Sequence, residues 1–235
     1  MEPDDPPEWG DAGDHSAVDP EHRLLLAVVP GKRTSENCQK IVREMKTRTG
    51  GRTDLPITSD AYAAYATEIE EAYHTLVPVP RRPGPGRPPN PKRVRPALLC
   101  KPRWARSGRW AATVEDDRAL VFGAACVLAW LLQRSQVSEP INTAFVERHN
   151  GTDRRQNGRK HRRTNGFSKD AGVHEAATYF IGYSYNFCWS VRTLTIEDQS
   201  GKKQSRTPAM AAGLADHIWT LREWLTYPAK PCALI

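Results

Sequence analysis

Apolar positions along this chain follow two different periods, and the changes between them mark out its elements. In HRLLLAVVPGKR, residues 22–33, an unbroken apolar run from Leu24 to Val29 lies between a turn at Asp19-Pro20 and Pro30-Gly31. This predicts a central strand apolar on both faces. HSAVDP, residues 15–20, predicts a shorter strand ahead of it. From Ser35 the period changes: Cys38, Ile41, Val42 and Met45 recur at helical spacing until Gly50-Gly51, which predicts an amphipathic helix. The order then repeats, with a short strand to Ser59 and a helix from about Asp60, which stands at the strand's end or as the helix N-cap. Strand followed by helix, twice, predicts an α/β domain.

Residues 77–96, VPVPRRPGPGRPPNPKRVRP, contain eight prolines. Lost backbone donors predict a basic connector with no regular element. ALLCKPRW and RWAATVED flank ARSG as a hairpin whose first strand Pro102 weakens, and FGAACVLAWLLQR predicts a mostly buried helix. A helix capped by Asn142 or Thr143 follows Pro140, and DAGVHEAATYFIGYSYNFCWSVR predicts another whose aromatic residues pack in the core. RTPAMAAGLADHIWTLREWL predicts two short helices, the first with Thr207 as cap, Pro208 at its first position and Gly213 closing it. The organisation expected is an acidic disordered lead-in at 1–13, one main domain at 14–228 with the connector at 77–96, and a tail at 229–235.

Composition adds a partner to this outline. The 235 residues are 39% hydrophobic, enough for one sizeable core, and the net charge is +7. Residues 1–22 hold eight of the 27 acids and no lysine or arginine, so the remainder sets 34 cations against 19 acids, a net +15. That asymmetry points to nucleic acid or, with less support, to an anionic membrane surface. Five scattered cysteines include no Cys-x-x-Cys pair, and the seven histidines show no metal-ligand spacing. The N-terminus has no signal-peptide pattern, and the charge-free apolar run Ala119 to Leu132 is too short to span a bilayer, so a cytoplasmic protein with no membrane partner is expected.

The chemistry centres on INTAFVERHNGTDRRQNGRKHRRTNGFSK, residues 141–169, where Glu147 precedes a dense basic run. On a helix Glu147, Asn150 and Arg154 share one face at i, i+3 and i+7. Mg²⁺ takes hard oxygen ligands, commonly one or two carboxylates with water and phosphate oxygens, and cations must surround such carboxylates if DNA is to approach. The bland alternative is a surface helix with Glu147 paired to Arg148 or Lys160. Arg154, Arg155, Arg159, Lys160, Arg162 and Arg163 form a belt able to hold several phosphates in a salt-dependent, mostly sequence-independent way. Its bland alternative is a solvated loop with turns at Asn157-Gly158 and Asn165-Gly166.

These motifs, with YFIGYSYNFCWSVRTL, RTPAMAAGLADHIWTL, AVDPEHRLLLAVVPGKRT and SDAYAAY, in order over about residues 8–228, resemble the catalytic domain of bacterial insertion-sequence transposases of the insertion sequence one type. The resemblance implies a ribonuclease H-like fold, a mixed sheet flanked by helices, here with a proline-rich insert and a helical C-terminal tail. It implies a triad of two aspartates and a glutamate holding two Mg²⁺ or Mn²⁺ ions, and cleavage and joining of DNA strands. The family's second aspartate maps onto Asp60 in SDAYAAY and its glutamate onto Glu147 in VERHN. The implied partners are transposon ends and target DNA, with Arg148 and Asn150 joining the belt as DNA contacts, and a second copy or an intact transposase.

Two departures qualify this expectation. The family's first aspartate lies on a strand ahead of the one matched by AVDP, and only MEPDDPPEWGD stands upstream, so a chain shortened at its N-terminus is expected. Asp19, at the turn after that strand, is the substitute third carboxylate. Gly151 and Asp153 occupy positions where the family usually has leucine, which points to a degenerate enzyme. The other functions weighed are a non-catalytic DNA-binding fragment that modulates an intact transposase and, with less support, an RNA-binding protein.

Overall fold

The computed structural model describes residues 13–60, 62–80, 89–94, 98–106, 114–137, 141, 143–161, 166, 168–197 and 201–228. In chain order the elements are β1 (His15–Asp19), β2 (Leu24–Val29), α1 (Ser35–Arg48), β3 (Pro56–Thr58), α2 (Ala63–Tyr73), β4 (Thr75–Val77) and β5 (Lys92–Val94). They continue with β6 (Leu98–Arg106), β7 (Val114–Phe122), α3 (Ala125–Arg134), α4 (Ala144–Gln156) and α5 (Ala171–Cys188). β8 (Ile196–Glu197), β9 (Lys203–Gln204), α6 (Pro208–Ala211) and α7 (Leu221–Thr226) complete the chain. The protein is therefore mixed α/β, with small sheets. It forms two compact units, Met1–Lys32 together with Arg148–Ile235, and Arg33–Glu147.

In the unit built from both chain ends, β1 and β2 pair antiparallel, with an irregularity after Ala17 that leaves Leu26 without a register partner. Leu25, Ala27, Val28 and Val29 are buried, as their apolar run requires. What covers them is α5. A Cβ on Gly182 would lie 2.9 Å from Leu25 Cδ2, so the helix approaches the strand closely because that position lacks a side chain. One turn on, the Asn186 amide accepts from Leu25 N and donates to Leu25 O, both at 2.9 Å. A side chain thus takes both backbone groups of a buried strand residue. α6 begins at Pro208 under a Thr207 cap, and α7 opens with a capping box between Thr220 and Glu223. Aromatic contacts tie the tail to α5: Phe180 to Trp224 at 5.3 Å, Phe187 to Trp219 at 4.8 Å.

In the other unit, α1 follows a Thr34 cap and buries Cys38, Ile41 and Val42, while α2 buries Ile69 and Tyr73. Lys46 Nζ donates to the Ala72 carbonyl at 2.6 Å and lies over the Tyr73 ring, joining α1 to the end of α2. β3 pairs parallel to β6, and β6 pairs antiparallel to β7.

Several elements differ from expectation. Within the proline-rich segment Lys92–Val94 pairs antiparallel with Thr75–Val77, so the connector includes a short strand. Its three residues contain no proline, and their donors remain available. The second hairpin strand is described over Val114–Phe122, paired antiparallel with β6, while its expected start at Arg109–Thr113 lies outside the described residues. α3 forms as expected, but only Leu128 is buried, with Leu120, Leu131, Leu132 and Ile141 against it. Trp130 is 52% exposed and stacks on the Arg134 guanidinium at 4.6 Å. The aromatic core expected of α5 holds for Tyr185, while Phe180 and Trp189 are exposed. The lead-in before Gly13 and the tail at 229–235 lie outside the described residues. Among the described residues no helix is long and apolar enough to cross a membrane.

Candidate functional site

Asp60 follows the end of β3 by two residues and precedes α2. It does not cap the helix as N-cap, a position Tyr62 fills without a side-chain bond; its Oδ1 accepts from Tyr62 N at 3.2 Å. Its Oδ2 is paired with the Arg33 guanidinium, which also lies over the Tyr62 ring. Asp60 is near α1 as well. Burial first, then the charges of Glu68 and Asp60, push the Cys38 thiol up to about 11, which leaves it protonated and unreactive at neutral pH.

Glu147 lies exposed in the first turn of α4, a favourable place for an acid at a helix N-terminus. Its Oε1 accepts from the buried Thr143 hydroxyl at 2.6 Å. Neither Arg148 nor Lys160 is its partner. Asp60 and Glu147 belong to the same compact unit, yet among the described residues they share no hydrogen-bonding partner. Asp19, in the other unit, is turned to its own loop: Oδ1 accepts from Glu21 N at 2.9 Å and Oδ2 meets His22 Nδ1 at 2.5 Å. The hard oxygens of Asp60 and Glu147 are of the type Mg²⁺ accepts. Among the described residues no three His, Cys, Asp or Glu side chains group as metal ligands.

The basic run divides sharply. Arg148, Arg154, Arg155 and Arg159 are exposed, whereas Arg162 and Arg163 lie outside the described residues. Asn150 is engaged with the hairpin, its Oδ1 accepting from the Ser16 hydroxyl at 2.8 Å. Lys160 is a correction to the belt. Its side chain is only 9% exposed, enclosed between Asp14 Oδ2 at 2.6 Å and Asp153 Oδ2 at 2.5 Å. A phosphate reaches that ammonium only after two ion pairs break. Asp153, expected to weaken α4 in place of an apolar anchor, instead balances a buried charge.

This enclosed network was not foreseen from the sequence. Asp14 Oδ1 also meets His174 Nε2 at 2.9 Å, accepts from Gly31 N at 2.9 Å, and His174 Nδ1 meets Ser168 Oγ at 3.1 Å. Burial pushes the Asp14 pKa up, but the His174 bond, the Lys160 charge and bond, and the Gly31 amide together bring it down to about 2. On α4 and just past it, His149, Asp153 and Asn157 recur every fourth residue on the same side, and His149 Nδ1, Asp153 Oδ1 and Asn157 Nδ2 are buried with no partner among the described residues. Burial, with Lys160 adding to it and Asp153 opposing, brings His149 down to about 4, so the ring is neutral at pH 7. The signal available in the sequence was this polar residue at every fourth position.

No protein family, curated protein or solved structure matches the chain.

Proposed function

We propose that the chain carries the catalytic-type domain of a DNA transposase of the insertion sequence one type, its elements arranged in a ribonuclease H-like manner. The observation that carries this reading is the seating of the ordered motifs on elements. SDAYAAY runs from the end of β3 into α2, VERHN lies in the first half of α4, Arg154 follows Glu147 by seven residues on that helix, and exposed arginines come after it. The substrates are transposon ends and target duplex, with association of two copies or with an intact transposase. Asp60 and Glu147 would hold Mg²⁺ or Mn²⁺, which supplies polarisation of a phosphodiester and activation of the attacking oxygen when bound. In the chain itself, Arg33 pairs with Asp60 and the Thr143 hydroxyl donates to Glu147, so both carboxylates are held in place.

The Arg33–Asp60 pair favours a second reading, a non-catalytic DNA-binding fragment that modulates an intact transposase, because a guanidinium there competes with a metal ion. The deciding experiment incubates the purified chain, Asp60→Asn and Glu147→Gln with matched insertion-sequence ends and Mg²⁺ or Mn²⁺. Duplex binding by all three with no strand cleavage is the expected outcome. Cleavage by the parent that both substitutions abolish makes the site catalytic, and a parent that binds no DNA ends both readings.

A further inference from the structure

In the unit built from both chain ends, four buried polar atoms have no hydrogen-bond partner among the described residues. They are His149 Nδ1, Asp153 Oδ1 and Asn157 Nδ2 on α4 and its continuation, and Thr178 Oγ1 on α5. Their surroundings are closed: His149 is 8% exposed, Asn157 2% and Thr178 1%. Buried polar groups are ordinarily paired, and four left dry would offset much of the stability of an ordinary fold.

The fold brings the four to one place. Asn157 N donates to the Asp153 carbonyl at 2.8 Å, so the helical course of α4 continues and His149, Asp153 and Asn157 stay on one side at i, i+4 and i+8. On α5, His174, Thr178 and Tyr185 share a face at i, i+4 and i+11. Two sets of contacts set these faces against each other. At one end the His149 ring meets Tyr185 edge-on at 5.1 Å. Toward the other, Lys160 Nζ joins Asp153 Oδ2 at 2.5 Å to Asp14 Oδ2 at 2.6 Å, and Asp14 Oδ1 meets His174 Nε2 at 2.9 Å. Thr178 lies between Tyr185 and His174 on α5, one turn from His174, and so faces the stretch of α4 that carries the other three atoms.

Their chemistry calls for a group that both donates and accepts. The Asn157 amide nitrogen only donates and a carboxylate oxygen only accepts, while a threonine hydroxyl or a histidine nitrogen takes the role its neighbour leaves. Cβ atoms at i and i+4 are about 5–6 Å apart, a span that two hydrogen bonds through one water oxygen match. We propose that internal water molecules are bound between α4 and α5 and join His149 Nδ1, Asp153 Oδ1, Asn157 Nδ2 and Thr178 Oγ1 into one buried row. A water among Asp153, Asn157 and Thr178 has three partners and one between His149 and Asp153 has two, as buried waters require. This hydrated row, rather than side-chain packing, holds α4 to α5 between their fixed contacts, and it is independent of the DNA reading.

The test is a high-resolution crystal structure of the full chain, together with melting and urea denaturation of Thr178→Val, which keeps the volume and removes the hydroxyl. Ordered water oxygens are expected within about 3.2 Å of at least two of the four atoms, Asn157 Nδ2 or Thr178 Oγ1 among them. Thr178→Val should raise the unfolding equilibrium constant about fivefold to tenfold, because it takes a partner from a bound water, whereas valine in place of a dry hydroxyl raises the melting temperature. Four atoms that are dry, or paired directly with other side chains, overturn the proposal. So does a Thr178→Val variant that melts at or above the parent. A peak with several oxygen ligands at about 2.3–2.6 Å makes this a cation site and overturns it too. If Thr178→Val does not fold, the crystal structure of the parent decides alone.

Discussion

Asn186 stands where a neighbouring strand would, with its amide on both backbone groups of Leu25. Replacing it by alanine leaves a donor and an acceptor buried without partners, so Asn186→Ala should cost about 2–4 kcal/mol in a urea titration. Two buried titrating groups set the acid limb of stability, and their windows differ. His149 is depressed to about 4, so the unfolded chain takes up a proton from its ordinary value of 6.5 downward while the folded protein does not. Stability is complete above pH 6.5 and should fall by about 3 kcal/mol toward pH 4. Asp14, brought down to about 2, contributes stability that is complete above its unfolded value near 4 and is lost as pH falls toward 2, about 2 kcal/mol more. Melting temperatures across pH should show both segments, His149→Gln flattening the first and Asp14→Asn the second. A single segment unaffected by His149→Gln would contradict the assignment.

At the scale of elements, two helical glycines have opposite environments. Gly182 faces Leu25 with a virtual Cβ contact of 2.9 Å, while Gly151 in α4 has nothing within 4 Å. Alanine in an open helical site gains about 0.5–1 kcal/mol, so Gly151→Ala should raise the melting temperature. Gly182→Ala should lower it, by about 1–2 kcal/mol in stability, because the close approach of α5 to β2 outweighs the same helix gain. Equal shifts in the two variants would mean that α5 does not lie so close. α3 carries a related lesson. Its sequence is apolar around much of the helix, yet only Leu128 is buried, because burial requires facing elements on every side and among the described residues α3 has few.

At the scale of the whole molecule, the net charge of +7 conceals a division along the sequence, eight acids within the first 22 residues and a net +15 in the remainder. In the DNA-binding reading, alanines at Arg154, Arg155 and Arg159 should weaken duplex binding alike for all sequences and reduce the salt slope by up to about 0.9 per arginine. An unchanged slope would show the three to be solvated surface. Lys160→Met should behave differently. It strips the cation from between two enclosed carboxylates and should destabilise the fold by about 3–5 kcal/mol, read by denaturation in the absence of DNA.

Local pattern alone determined much of this protein. The apolar run Leu24–Val29, the helical spacing of Cys38, Ile41 and Val42, and the Thr207-Pro208 start each fix a nearby backbone conformation through short-range sterics and capping. Asp60 after a strand and Glu147 in a first helical turn were legible for the same reason. Tertiary structure alone decided which charges meet. Asp14 and Lys160 are 146 residues apart, and Ser16 and Asn150 are 134 apart. Nothing in either neighbourhood distinguishes Lys160, enclosed by two carboxylates, from Arg159 in solvent. Charge pairing depends on the distance and burial that the fold imposes, and sequence spacing encodes neither across such separations.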